Sequence, residues 1–263
     1  MIKDEFAVLF ARIDDICRRA ERGEFGISCF LSPRECHFTE QHLISRGFGD
    51  RYVLWGGYRD AERRRFLILP DYMCGASEYC ELEPYIDQPP IVSLKIKGSG
   101  YRRLTHRDYL GSVLGLGLER EVLGDIAFED IEREEAILFC DAAISEFILG
   151  ELKKVASDTV RVERVQIGDS FLPKRSFLHI SDTVASPRLD CIVAAVCSLS
   201  REKAQSAVSA GLVEIDFESD LRSDRIVSAP CIISVKGYGK FRINSVSEQT
   251  KRGRLRLDAD KYI

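Results

Sequence analysis

Arg188-Leu189-Asp190, Leu199-Ser200-Arg201, Lys203-Ala204, Gly211-Leu212-Val213 and Lys236-Gly237-Tyr238-Gly239-Lys240 follow one another within about fifty residues near the C-terminus, and their spacing predicts a small helical and hairpin unit. Ser200 is placed to cap a helix whose Ala204, Ala207 and Val208 recur at i, i+3 and i+4, with Glu202 in the first turn and Gly211 as its stop. Arg201 and Gln205, four apart, share one edge of that helix. Val213 and Ile215 alternate with Glu214 as a strand does, and Ile233-Ser234-Val235 forms a second strand before the Gly-Tyr-Gly turn. With the apolar run Cys191 to Val196 as a preceding helix, the unit is two short helices and a β-hairpin.

Working upstream, 263 residues with 45% apolar composition are enough for two or three packed domains. Phe6, Leu9, Phe10, Ile13, Ile16 and Cys17 fall at helical spacing up to Gly23, and Ser32-Pro33 opens a second helix through about Ser45. Tyr52-Val53-Leu54-Trp55 and Phe66-Leu67-Ile68-Leu69 read as strands, giving an α/β unit over 1–84. From Ile91, Val92, Leu94 and Ile96 alternate with Ser93, Lys95 and Lys97, a strand with one dry face and one wet, cationic face. Thr105 with Asp108 marks a helix start; strands at 121–128, 136–140 and 160–165 and a helix from Asp141 to Val155 complete a β-α-β-β-α-β order, a ferredoxin-like unit over 85–170. Phe139 is expected in the core, and residues 166–187 connect to the C-terminal unit, 171–263, which ends in a short basic stretch. The fold class expected is α+β.

Charge is segregated under a net of −4. Glu119 to Glu135 holds eight acidic residues against Arg120 and Arg133; Lys95 to Arg107 holds five basic residues and no acidic one; Lys236 to Arg256 holds seven basic residues against Glu248. Polyanion binding depends on such local clusters more than on the total. No run of eighteen apolar residues and no basic-then-apolar start is present, so a cytoplasmic chain without a membrane partner is expected. Nine cysteines without a Cys-x-x-Cys pair point to reduced, mostly buried thiols, and the clusters Cys36-His37 with His42 and Cys74 with Cys80 do not have metal-site spacing.

The C-terminal motifs, with Lys240-Phe241 closing the second strand, resemble the RNA-binding domain named for ribosomal small-subunit protein four, here S-four. Two positions depart from that pattern: Asp216-Phe217 stands where Asn-Gly is usual, and Ala229-Pro230-Cys231 replaces a Gly-Asp turn. Phe30-Leu31-Ser32-Pro33, Trp55-Gly56-Gly57-Tyr58 with Ala61-Glu62-Arg63-Arg64, and the run from Lys97-Gly98-Ser99-Gly100 through Thr105-His106-Arg107-Asp108 to Gly111 resemble the bacterial YlmH-like proteins, in order along nearly the whole chain. The resemblance implies a non-enzymatic protein that binds ribosomal RNA or tRNA on the large subunit, including subunits stalled with peptidyl-tRNA. In this chain Arg201 suits phosphate, Gln205 a sugar or base edge, and Arg188 either the same groove or a salt bridge to Asp190. Ser200, Lys203, Lys236, Tyr238, Lys240 and Arg242 complete that set. Lys97, Arg102, Arg103 and Arg107 form a second set beside a phosphate nest at Gly98 and Gly100, and Arg63 to Arg65 a weaker third, with pairing to nearby carboxylates as its alternative.

Other chemistries fit less well. His106-Arg107-Asp108 imitates a kinase catalytic loop but lacks the metal-binding Asn at position 113, where Val stands. Gly115-Leu116-Gly117 runs into Arg120 and an acidic segment rather than a dinucleotide-binding turn, and no Walker loop occurs, so no cofactor is expected. A pseudouridine-synthase-type enzyme with Asp190 as its carboxylate, and a protein adaptor using the acidic 119–135 segment, are the alternatives.

Overall fold

The computed structural model describes residues 5–128, 135–168, 171–173, 177–249 and 253–262, in two compact units, 1–174 and 175–263. Residues 129–134 of the acidic segment, Lys174, Arg175, Lys251 and Arg252 lie outside the described residues.

In the first unit, α1 (Ala7–Ala20) is followed by β1 (Gly26–Ile27) and by α2 (Pro33–Ser45). Ser32 opens α2 with a reciprocal capping box: its hydroxyl accepts from the Glu35 amide at 3.3 Å and its own amide donates to the Glu35 carboxylate at 2.7 Å. β2 (Tyr52–Trp55) and β3 (Arg65–Ile68) complete a sheet of order β1-β3-β2. β3 is dry on both faces: Phe66 and Ile68 pack with Ile13, Cys17 and Leu43, while Leu67 packs with Val53 and Leu82.

The same unit continues through β4 (Ile91–Lys97), α3 (His106–Leu114), β5 (Leu123–Phe128), β6 (Glu135–Asp141), α4 (Ala142–Glu151), a small β7 (Lys154–Val155) and β8 (Asp158–Thr159) hairpin, and β9 (Arg161–Val165). The sheet order β5-β6-β4-β9, antiparallel throughout, is the interleaved arrangement that the β-α-β-β-α-β order predicts. Leu94, Ile96, Leu138 and Cys140 meet Tyr109, Val113 and Ile148 from the helices. The opposite face departs from the expected wet surface. Ile91, Ile137 and Phe139 are buried there against Phe30, Tyr58, Ala61 and Phe171, each large side chain worth roughly 1.5–3 kcal/mol on burial. Helix α4 also stops at Glu151 rather than running to Val155, because Leu152 leaves helical geometry (ψ 86) and Ala156 turns the chain at φ +51 into the β7–β8 hairpin.

In the second unit, β10 (Phe177–Val184) occupies what the sequence presented as a connector. α5 (Leu189–Val196) and α6 (Arg201–Ser209) follow, then β11 (Val213–Ile215), β12 (Glu218–Ser219), β13 (Cys231–Val235), β14 (Gly239–Gln249) and β15 (Leu255–Tyr262). All six strands join one antiparallel sheet, β10-β15-β14-β13-β11-β12; β11 and β13 of the expected hairpin are neighbours within it, and the basic tail supplies β15 and most of β14. Leu189, Ile192, Val193, Ala204 and Val208 pack onto Val213, Ile233, Phe241, Ile243 and Leu257. Asp216 and Phe217, at φ +47 and +71, make the tight turn between β11 and β12 without the usual glycine.

Candidate nucleic-acid interface

Asp190, the second residue of α5, has no exposed side-chain surface, and four groups converge on it. Arg188 donates through Nε at 3.0 Å and a terminal nitrogen at 3.2 Å, Arg201 through Nε at 3.1 Å, Gln205 through Nε2 at 2.8 Å, and the Cys191 amide at 3.0 Å. Burial opposes ionisation of this carboxyl, but the hydrogen bonds from Arg188, Gln205 and Arg201 outweigh it and hold its pKa below the usual range. The three side chains singled out as contacts are therefore gathered on one edge of the helix pair by a common anchor, and Arg201 remains 58% exposed. Arg188 takes the salt-bridge role. Ser200 caps α6, accepting from the Lys203 amide at 3.3 Å, while the Lys203 side chain is exposed. Beside Arg201, Thr183, Val184, Ala194, Leu199 and Arg254 line an open groove of about 480 Å³.

The turn between β13 and β14 carries exposed Lys236 and Tyr238, with Gly237 and Gly239 at φ +86 and +117. Lys240 lies over the rings of Tyr262, 4.7 Å from its centroid, and Phe217, at 5.8 Å. Arg242 is exposed opposite Asp260 on β15, whose carboxylate accepts from Asn244 at 2.7 Å and faces His179 at 3.0 Å.

In the central set, Lys97 and Lys95 both pair with Glu135, at 2.9 and 3.4 Å, and those contacts, Lys97 first, hold its carboxyl below the ordinary range. Arg102 reaches Ser157 at 3.1 Å and Asp108 at 3.7 Å, whereas Arg103 and Arg107 are exposed. The expected phosphate nest holds an internal anion at its centre: the Ser99 amide donates to Asp158 at 2.9 Å and its hydroxyl to the same carboxylate. Asp108 serves the Thr105 capping box at the start of α3, a structural use of the kinase-like triplet. Tyr101, absent from the expected set, is 92% exposed; an aromatic beside Arg102 and Arg103 was the available signal.

Arg63 to Arg65 are not an outward-facing set. Arg65, 8% exposed, donates to the Ser28 and Pro90 carbonyls and pairs with Asp141 at 2.9 Å. Arg63 donates to the carbonyls of Leu123, Phe30 and Arg120. Asp125 accepts from the Tyr58 hydroxyl at 2.7 Å and the amides of Glu62 and Arg63 at 2.7 and 3.0 Å. The motif from Trp55 to Arg65 is thus the seam between the three-stranded and four-stranded sheets.

Burial pushes the Cys17 and Cys36 thiols up to about 11 and Cys140 up to about 12, leaving them neutral at physiological pH. Among the described residues no group of three or more His, Cys, Asp or Glu is placed to hold a metal, and no helix is long and apolar enough to cross a membrane.

Residues 91–169, the interleaved sheet with its two helices and the Gly98–Arg107 loop, match the family described as "Putative RNA-binding domain in YlmH". That family is one of putative RNA-binding domains, and the match covers the central part of the chain. Over 92% of its length the chain is 27% identical to the ribosome-associated protein quality control protein P2 of Bacillus subtilis, covering 89% of that protein. The cell division protein ylmH from Streptococcus pneumoniae is similar over 63% of this chain and 92% of its own, with 21% identity and a TM-score of 0.46. The chain is YlmH-like.

Proposed function

We propose that this chain is a cytoplasmic, ribosome-associated RNA-binding protein that works without catalysis on ribosomal RNA or tRNA at the large subunit, in the handling of stalled translation. The observation that carries the reading is the Asp190 anchor, which fixes Arg201 and Gln205 in one orientation while leaving Arg201 more than half exposed. A preorganised guanidinium loses little freedom on meeting phosphate. The family matched by residues 91–169 and the ribosome-associated relative support the same direction. We read the C-terminal helix pair and its sheet as an S-four-like module. Exposed cations on the Lys95–Arg107 segment supply a second, weaker contact, and two weak contacts on one chain gain through effective concentration.

The pseudouridine-synthase reading requires a carboxylate that a uridine can reach. Asp190 has no exposed surface and its oxygens are occupied by two arginines, a glutamine and an amide. Sedimentation of a lysate on a sucrose gradient tests the proposal: the chain should travel with the large-subunit fraction at low salt and be released as salt rises. Recovery only at the top of the gradient refutes it, and Asp190-dependent appearance of modified nucleosides in tRNA or rRNA would restore the enzyme.

A further inference from the structure

We infer that Tyr101 is a base-stacking residue and that the Gly98–Arg107 loop recognises unpaired RNA. The inference rests on the RNA-binding reading and gives that reading a substrate class. Tyr101 leaves 92% of its surface in water, a cost that no packing within the described residues explains. The loop that presents it is braced on both sides. Asp158 takes the Ser99 amide and hydroxyl, the Tyr101 amide donates to the Ser99 hydroxyl at 3.3 Å, and Arg102 is tied to Ser157 across the β7–β8 hairpin. On the far side, Leu104 is buried in the core and Thr105 begins α3. A ring held out from a braced turn loses little freedom when a base lies on it.

Its neighbours match the rest of a single strand. Arg103 and Arg107 are exposed within the same short segment, so cations follow the ring as phosphates follow a base. Duplex RNA offers no open base face, because its bases are stacked and its major groove is deep and narrow. The sheet face on which many proteins of this topology lay their bases is here closed by Phe30, Tyr58 and Phe139, which moves recognition of bases from the sheet to its rim.

The test measures binding of the full chain to fluorescently labelled single-stranded oligoadenylate and to an RNA duplex of matched length, across a salt series. Tyr101→Ala should weaken oligoadenylate binding about tenfold with the salt slope unchanged, and leave duplex binding as it was. Tyr101→Phe should restore binding, since the π-face and not the hydroxyl is used. Arg103→Ala with Arg107→Ala should instead flatten the salt slope. Equal oligoadenylate affinity of Tyr101→Ala and the unaltered chain would overturn the inference while leaving RNA binding intact, as would equal losses on both probes. Binding of the unaltered chain to neither probe would overturn the inference, while the RNA-binding reading stands or falls on the gradient and on ribosomal RNA.

Discussion

Gly57 lies against the ring of Phe139: a Cβ placed on Gly57 would stand 2.3 Å from Cδ1 of that ring, and the glycine's backbone is at φ +98. Only a residue without a side chain lets the β2–β3 connection approach the four-stranded sheet this closely. Gly57→Ala combines a strained backbone with overpacking, and should cost about 2–4 kcal/mol. Urea unfolding followed at Trp55, the chain's sole tryptophan, stacked on Tyr79 at 4.8 Å, reads the effect where it arises. A midpoint shift equivalent to less than about 1 kcal/mol would mean that the seam is plastic.

Arg65 belongs to the same seam and predicts a different pattern. Its fork spans the Ser28 and Pro90 carbonyls and the Asp141 carboxylate, a geometry that one ammonium cannot reproduce. Arg65→Lys should therefore lose about 1–3 kcal/mol of stability in the first unit. RNA affinity and its salt slope should stay unchanged, because the side chain is 8% exposed. A reduced slope in a folded Arg65→Lys chain would return this arginine to the RNA-contact set.

Asp190 makes the stability of the second unit sensitive to acid. Its carboxyl ionises more readily folded than unfolded, so the stabilisation is complete above the ordinary carboxyl range, near pH 4, and drains away as pH falls through the depressed folded value. Asp220, held by Arg222 and Arg225, shifts in the same direction and contributes a parallel loss. Asp190→Asn should be about 1–3 kcal/mol less stable at neutral pH and should lose less on acidification. Hydrogen exchange of the α5 and α6 amides between neutral pH and acid separates this unit from the first. An acid slope equal to that of the unaltered chain would contradict the anchor.

The helix starts at Ser32, Thr105 and Ser200 were legible because a cap and its partner sit three residues apart in sequence, and all three caps form. The element order of the four-stranded unit was legible because apolar alternation marks β4 and a continuous apolar run marks β6. The outer strands of the second sheet were not. β10 carries Phe177, Leu178, His179, Ser181 and Asp182, most of them exposed, so its membership rests on backbone pairing with β15 rather than on a dry face. The arginines at 63 and 65 were legible only in part: pairing with a carboxylate was an open alternative, which Arg65 meets at Asp141, but the carbonyls of Phe30, Pro90 and Leu123 that draw both inward are distant in sequence. Asp190 could be suspected of pairing with Arg188, two residues away, but its capture of Arg201 and Gln205 depends on how α5 meets α6.

That helix contact leads to the prediction on which the functional proposal depends most. Arg201 gives Nε to Asp190 and keeps most of its surface in solvent, and Lys240, on the neighbouring sheet of the same unit, is held over Tyr262. Arg201→Ala with Lys240→Ala should reduce association with ribosomal RNA severalfold and lower the salt slope by about one to two counterions. The paired control is Asp190→Asn, which keeps both cations but replaces the carboxylate that orients Arg201 with a neutral amide. It should lower affinity while leaving the slope near that of the unaltered chain, since charge number sets the slope and geometry sets the intercept. Filter binding from low to high salt distinguishes the two. If the double alanine variant binds with unaltered affinity and slope, the Asp190-anchored edge is a structural device of the C-terminal unit and RNA is held elsewhere on the chain.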